Sequence, residues 1–72
     1  MNDKELLKNF GFNFKIERLR LKLSQEDVAF KTGFSISYIS NIENAKHNIS
    51  LCNAVTLAKI VNKNVDEMLI AK

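Results

Sequence analysis

The sequence predicts an all-α fold in one small domain spanning residues 1–72. Two observations carry that expectation. The chain is 46% hydrophobic and 26% charged, with no Pro and only two Gly, which suits packed helices better than strands or a disordered chain. Its apolar residues also recur at three- and four-residue intervals, in stretches separated by short polar turns, as helices with one apolar face require. A domain of 72 residues buries only about 60% of the surface that its unfolded chain exposes. Its stability is therefore expected to be marginal unless it gains a partner.

The first periodic stretch runs from Lys4 to Leu23. Leu7, Phe10, Phe14 and Leu21, with Phe12, Ile16, Leu19 and Leu23, predict one or two helices there, and Gly11 is a candidate break. Ser24 then offers a hydroxyl N-cap ahead of Glu26 and Asp27, whose charges complement a helix N-terminus, so a short helix is expected to start at about Gln25. Gly33 suits the left-handed residue that ends such a helix, and Ser35 or Ser37 can cap the next one. Ile39 and Ile42 share one face of that next helix, while Ile36, Ser37, Ser40 and Asn41 lie on others. The aperiodic stretch Asn44-Ala45-Lys46-His47-Asn48 reads as a loop. Ser50 caps a further helix that carries Leu51, Ala54, Val55, Leu57, Ala58 and Val61, with Leu51 as a core position. After the turn Asn62-Lys63-Asn64, a short last helix from Val65 to Ala71 is expected to turn Val65, Met68 and Leu69 inward.

Several function classes are disfavoured. Cys52 stands alone, so no intrachain disulfide forms, and no Cys/His cluster has metal-ligand spacing. The start, Met1-Asn2-Asp3-Lys4-Glu5, lacks the basic and long apolar regions of a secretory signal, and no apolar run nears the roughly 20 residues that span a bilayer. A cytoplasmic protein without membrane contact, metal or cofactor is the expectation. One His, one Cys and no Gly-rich phosphate loop leave no catalytic constellation, so an enzyme is not expected. Eleven Lys and Arg against eight Asp and Glu give +3, which permits nucleic-acid binding without demanding it.

The informative pattern lies between Gln25 and Ile42. Gln25, Val28, Ala29, Gly33, Ile39 and Ile42 fall at the intervals of a helix-turn-helix, here about residues 25–44. Ala29 must be small where the second helix crosses, Gly33 supplies positive φ, and Val28, Ile39 and Ile42 seal the wedge. Two helices held at that angle leave one free to enter a major groove.

Leu23-Ser24-Gln25-Glu26-Asp27-Val28-Ala29, then Gly33, then Tyr38-Ile39-Ser40-Asn41-Ile42-Glu43 resembles the Cro/lambda-repressor-like (Xre) helix-turn-helix proteins. The similarity continues through Ile49-Ser50-Leu51, Leu57-Ala58 and Val65-Asp66-Glu67-Met68-Leu69 and covers roughly residues 14–70. Within that family the short restriction-modification controller proteins look most similar. The resemblance implies a compact five-helix DNA-binding domain whose reading helix runs from about Ser35 to Asn44 and whose C-terminal helices pair two copies. It assigns double-stranded DNA as partner, with RNA polymerase as a candidate second one.

Residue by residue, the resemblance puts Gln25 against the DNA backbone and behind the reading helix. Ser35, Ile36, Ser37, Ser40 and Asn41 face bases or adjacent backbone. Asn41 suits bidentate pairing with adenine, Ser37 and Ser40 suit base or phosphate, and Ile36 suits a thymine methyl. Tyr38 is assigned to a phosphate, and Lys46, His47 and Asn48 to the backbone just past the helix, where they set register. Arg18 and Glu43 match a charged structural pair, with Arg20 as the rival for Glu43. Val65, Met68, Leu69 and Ile70 are the expected dimer seam. Two departures stand out. Glu17 occupies a position that is apolar in many relatives, and Ile36 replaces a polar or basic reader, which shifts weight toward DNA shape and water.

The resulting expectation is a homodimeric transcriptional regulator that binds an inverted-repeat operator and controls its own and neighbouring genes, including restriction-modification genes. An antitoxin or phage-type repressor acting with a protein partner shares the scaffold. A helical protein-interaction module without DNA binding is the alternative from a different class, and there Ser37, Ser40 and Asn41 would be only a solvated polar face.

Overall fold

The computed structural model describes residues 3–71, and the described chain forms five helices: α1 (Asp3–Arg20), α2 (Gln25–Thr32), α3 (Ile36–Glu43), α4 (Leu51–Ile60) and α5 (Val65–Met68). No strand occurs among the described residues. Helix α1 packs on α3 and α5, α2 lies against α3 and α4, and α4 closes on α5. Phe10 and Phe14 of α1 meet Val28, Ile39, Ile42, Ala54, Leu57, Ala58, Val61 and Met68 in one core.

Side-chain chemistry fixes where the helices begin. Ser24, Ser35 and Ser50 sit in extended conformation, and each hydroxyl oxygen accepts the backbone N–H three residues on, from Asp27, Tyr38 and Asn53. At α2 the box is complete, because the Asp27 carboxylate accepts the Ser24 backbone N–H at 2.8 Å. That bond, the Ser24 hydroxyl and nearby Lys31 lower the Asp27 pKa below its ordinary value. A depressed carboxylate pKa stabilises the fold above the unfolded value and loses that effect as pH falls through the folded one. Asp27→Asn should therefore lower the melting temperature at neutral pH, and the difference from the unaltered chain should vanish in melts run well below pH ~4.

Four of the five helices are followed by a left-handed residue. Gly33 (φ 81°) donates to the Ala29 carbonyl and ends α2, and Lys22 (φ 60°), Ala45 (φ 57°) and Asn62 (φ 61°) follow α1, α3 and α4. At each of those three, the next residue's N–H reaches five residues back: Leu23 to Arg18, Lys46 to Asn41, and Lys63 to Ala58. Only Gly33 and the Asn62 turn were expected from sequence, because Lys and Ala do not favour this conformation on their own.

Helix α1 resolves one expectation and departs from others. Of the one or two helices expected, there is one, and Gly11 is not a break: a Cβ there would fall onto the Ile42 carbonyl oxygen and within 2.9 Å of that of Glu43. Gly11 thus lets α1 and the end of α3 touch backbone to backbone. Gly11→Ala should destabilise by about 1–3 kcal/mol, because the opposing atoms are backbone and cannot rotate away; a lowered urea midpoint at unchanged slope is the expected readout. Phe12 and Leu19 are exposed, each by 52%, since only one stripe of a helix can face the core, and Leu21, just past the helix, is 40% exposed. Polar residues share the buried side of α1 with Phe10 and Phe14: Asn13, Glu17 and Arg18 are all more than nine-tenths buried.

Helix α5 stops at Met68 rather than at Ala71 for a related reason. The Asn13 amide donates to the Met68 and Ile70 carbonyls at 2.8 Å, and the Asn9 amide to that of Leu69 at 2.9 Å. Side chains of α1 satisfy these groups, so the backbone need not continue its own ladder. Leu51, expected in the core, is 74% exposed at the first turn of α4, while Ala54, Leu57, Ala58 and Val61 are buried.

Candidate nucleic-acid interface

Helix α3 turns Ile39 and Ile42 into the core. By helical geometry the opposite side then carries Ser37, flanked by Ser40 and Asn41, with Ile36 at its start. Ser35, Ile36 and Ser37 are exposed, and Ser40 and Asn41 are half-buried. Four of the sequence-predicted readers, Ile36, Ser37, Ser40 and Asn41, thus lie away from the core side of α3, with Ser35 just ahead of it at the N-cap. Ser35 also has a second task, since its oxygen caps α3 by accepting from the Tyr38 N–H at 3.0 Å. Neither Lys nor Arg occurs on α3, so any reading of bases from this helix is done by neutral donors and acceptors.

This side of α3 is held by a buried ionic lock. Arg18 Nε donates to Glu43 Oε2 at 2.6 Å and Nη2 to Oε1 at 3.1 Å, with the two side chains only 8% and 3% exposed. The guanidinium also donates to the Leu23 carbonyl at 2.8 Å. Gln25, the first residue of α2, donates its amide to Glu43 Oε1 at 3.1 Å. One carboxylate at the end of α3 therefore ties together the end of α1 and the start of α2. Arg20 does not compete for it: its Nε lies 3.6 Å from Glu17 Oε1. Gln25 commits one amide proton to Glu43 and has a second available.

The flanks of α3 are organised as well. The Tyr38 ring is half-buried, with its centroid 5.0 Å from that of Phe34 at 60°. Its hydroxyl oxygen accepts from the Asn53 amide at 3.0 Å. At the other end, Asn44 donates to the Ser40 carbonyl at 2.9 Å, and the left-handed Ala45 redirects the chain so that Lys46, His47 and Asn48 are exposed just beyond the helix. Sequence reasoning missed Asn53. The available signal was its position three residues after the Ser50 cap, where Glu or Gln would complete a capping box; Asn53 uses its side chain on α3 instead.

The four residues expected to form a dimer seam are separated by the fold. Met68 is 1% exposed and belongs to the monomer's own core, so it cannot meet a partner. Val65 and Leu69 are half-buried and line an apolar groove with Leu6, Leu7, Ile49 and Leu51, while Ile70 is 65% exposed. Cys52 is a free, exposed thiol. Among the described residues no three His, Cys, Asp or Glu side chains group as metal ligands, and no helix is long and apolar enough to cross a membrane.

A family described as helix-turn-helix matches residues 14–68. The chain belongs to that family, and by class it is a DNA-binding transcriptional regulator. In particular it is similar to the restriction-modification controller protein C.AhdI from Aeromonas hydrophila, with 34% identity and a TM-score of 0.79 over 86% of this chain and 94% of that one. It is also similar to the hypothetical transcription factor NHTF from Neisseria, with 25% identity and a TM-score of 0.85 over 99% of this chain and 83% of that one. No curated protein matches the chain.

Proposed function

We propose that the chain acts as a homodimeric controller of gene expression that reads an inverted-repeat operator and governs its own and neighbouring genes, restriction-modification genes among them. The observation that carries this reading is the outward stripe of α3, a set of short neutral donors and acceptors set at a fixed angle by the Arg18–Glu43–Gln25 lock. In the major groove, Asn41 pairs with adenine, Ile36 packs on a thymine methyl, and Ser37 and Ser40 bond base or phosphate. The second Gln25 amide proton, the Tyr38 hydroxyl and the Lys46–Asn48 loop contact phosphates and fix register without reading sequence.

One copy of α3 contacts too few base pairs for useful discrimination, and two-fold pairing doubles the contacts, with half-sites roughly 34 Å apart. The groove lined by Val65, Leu69 and the exposed Leu51, with Ile70 nearby in sequence, supplies the apolar surface for that pairing. RNA polymerase is the further partner that this reading includes. The test is selection from random duplex DNA with the unaltered chain and with the double variant Ser37→Ala, Asn41→Ala. Recovery of a two-fold-symmetric site that the variant no longer discriminates supports the reading. Absence of enrichment at low salt sinks it.

A further inference from the structure

We infer that Asn53, on α4, is a positioning residue that aims the Tyr38 hydroxyl at DNA, so that one backbone contact of α3 is set from a different helix. The inference rests on the reading of α3 as the DNA-facing helix and deepens it. Its basis is the 3.0 Å bond in which the Asn53 amide donates to Tyr38 Oη.

A phenol oxygen accepts and donates at once. Its proton stays near the ring plane, which leaves it two positions, one on either side of the C–O bond. With the Asn53 N–H occupying one side, the Tyr38 proton takes the other and points away from α4. The bond also polarises the hydroxyl, and a phenol that already accepts is the stronger donor. The acceptor this suits is an anionic phosphate oxygen, to which an O–H bond is short and charge-assisted.

Both partners are held in place for this role. The Tyr38 ring is half-buried, packs against Phe34 and abuts the core. Its backbone N–H is taken by Ser35, and the Asn53 N–H by the Ser50 hydroxyl at 3.1 Å. The two capping serines therefore fix the ends of α3 and α4 between which the bond is made. An aspartate at position 53 would reverse the arrangement, because a carboxylate can only accept and would draw the Tyr38 proton inward.

The experiment is a double-mutant cycle on binding to a fluorescein-labelled, mixed-sequence duplex of about three helical turns, at low salt, with Tyr38→Phe, Asn53→Ala and the pair combined. Loss of a hydrogen bond to a charged group should make Tyr38→Phe bind about tenfold more weakly. Asn53→Ala should lose a similar or smaller factor in the Tyr38 background, and almost nothing once Tyr38 is Phe. A merely structural role for Asn53 would give the same fold loss in both backgrounds, and that result overturns the inference, as does an Asn53→Ala protein that binds like the unaltered chain. If Asn53→Ala fails to fold by circular dichroism, the near-isosteric Asn53→Asp carries the same cycle, with a larger loss expected in the Tyr38 background than in the Phe background. An unaltered chain that binds no duplex overturns the parent reading; binding without coupling between the two positions overturns this one alone.

Discussion

Arg18→Met should cost about 3–5 kcal/mol, the penalty for removing one partner of a buried ion pair and leaving the other charge unmatched. A domain of this size holds about 5 kcal/mol or little more, so the variant should be largely unfolded in thermal or urea melts. The size of the effect follows from geometry. Glu43 accepts two bonds from Arg18 and one from Gln25, with its side chain 3% exposed, so without the guanidinium it faces the interior with only a neutral amide. Replacing both partners, Arg18→Met with Glu43→Leu, should recover much of the lost stability, since an apolar pair of similar volume can substitute for a buried ion pair. The same double variant removes the Gln25 tether from the end of α3. It should fold yet bind DNA more weakly, and an anisotropy titration of the refolded protein would show that the lock holds the reading helix in place as well as the core.

Much of this architecture was legible because its signals are local. Ser24, Ser35 and Ser50 cap helices through bonds three residues long, and Gly33 adopts a backbone conformation that few other residues accept, so sequence alone locates α2, α3 and the start of α4. The outward stripe of α3 was legible for the same reason, since Ile39 and Ile42 fix which side is core. What could not be read depends on partners distant in the chain. Asn13 of α1 looks solvent-facing in sequence, and it is buried because α5 and the residues just past it offer it carbonyls. The Arg18–Glu43 pair was legible only through the family resemblance, since no local spacing brings the ends of α1 and α3 together. Phe12 and Leu19 look like core in α1 and face outward. Lys22 and Ala45 carry no mark of the left-handed turns they make, and Asn53 is unremarkable until α4 lies beside Tyr38.

Binding to the operator should fall by about 10³ to 10⁵ between roughly 50 and 200 mM salt, if a dimer neutralises about six to ten phosphates. The division of labour around α3 sharpens this into a separable prediction. The helix itself carries neither Lys nor Arg, and the first cation beyond it is Lys46, exposed just past the left-handed Ala45. On the proposed reading of α3, charge neutralisation and base reading therefore belong to different residues. Lys46→Ala should weaken binding to all duplexes alike and make the slope of log K against log salt shallower by about one per protomer. Asn41→Ala should leave that slope unchanged while reducing discrimination at the base it contacts, by about 1–3 kcal/mol for the lost bidentate pair. Titrations of both variants over the same salt range, against operator and scrambled duplex, measure the two effects side by side. A slope altered by Asn41→Ala, or specificity altered by Lys46→Ala, would show that register and reading are not divided between helix and loop in this way.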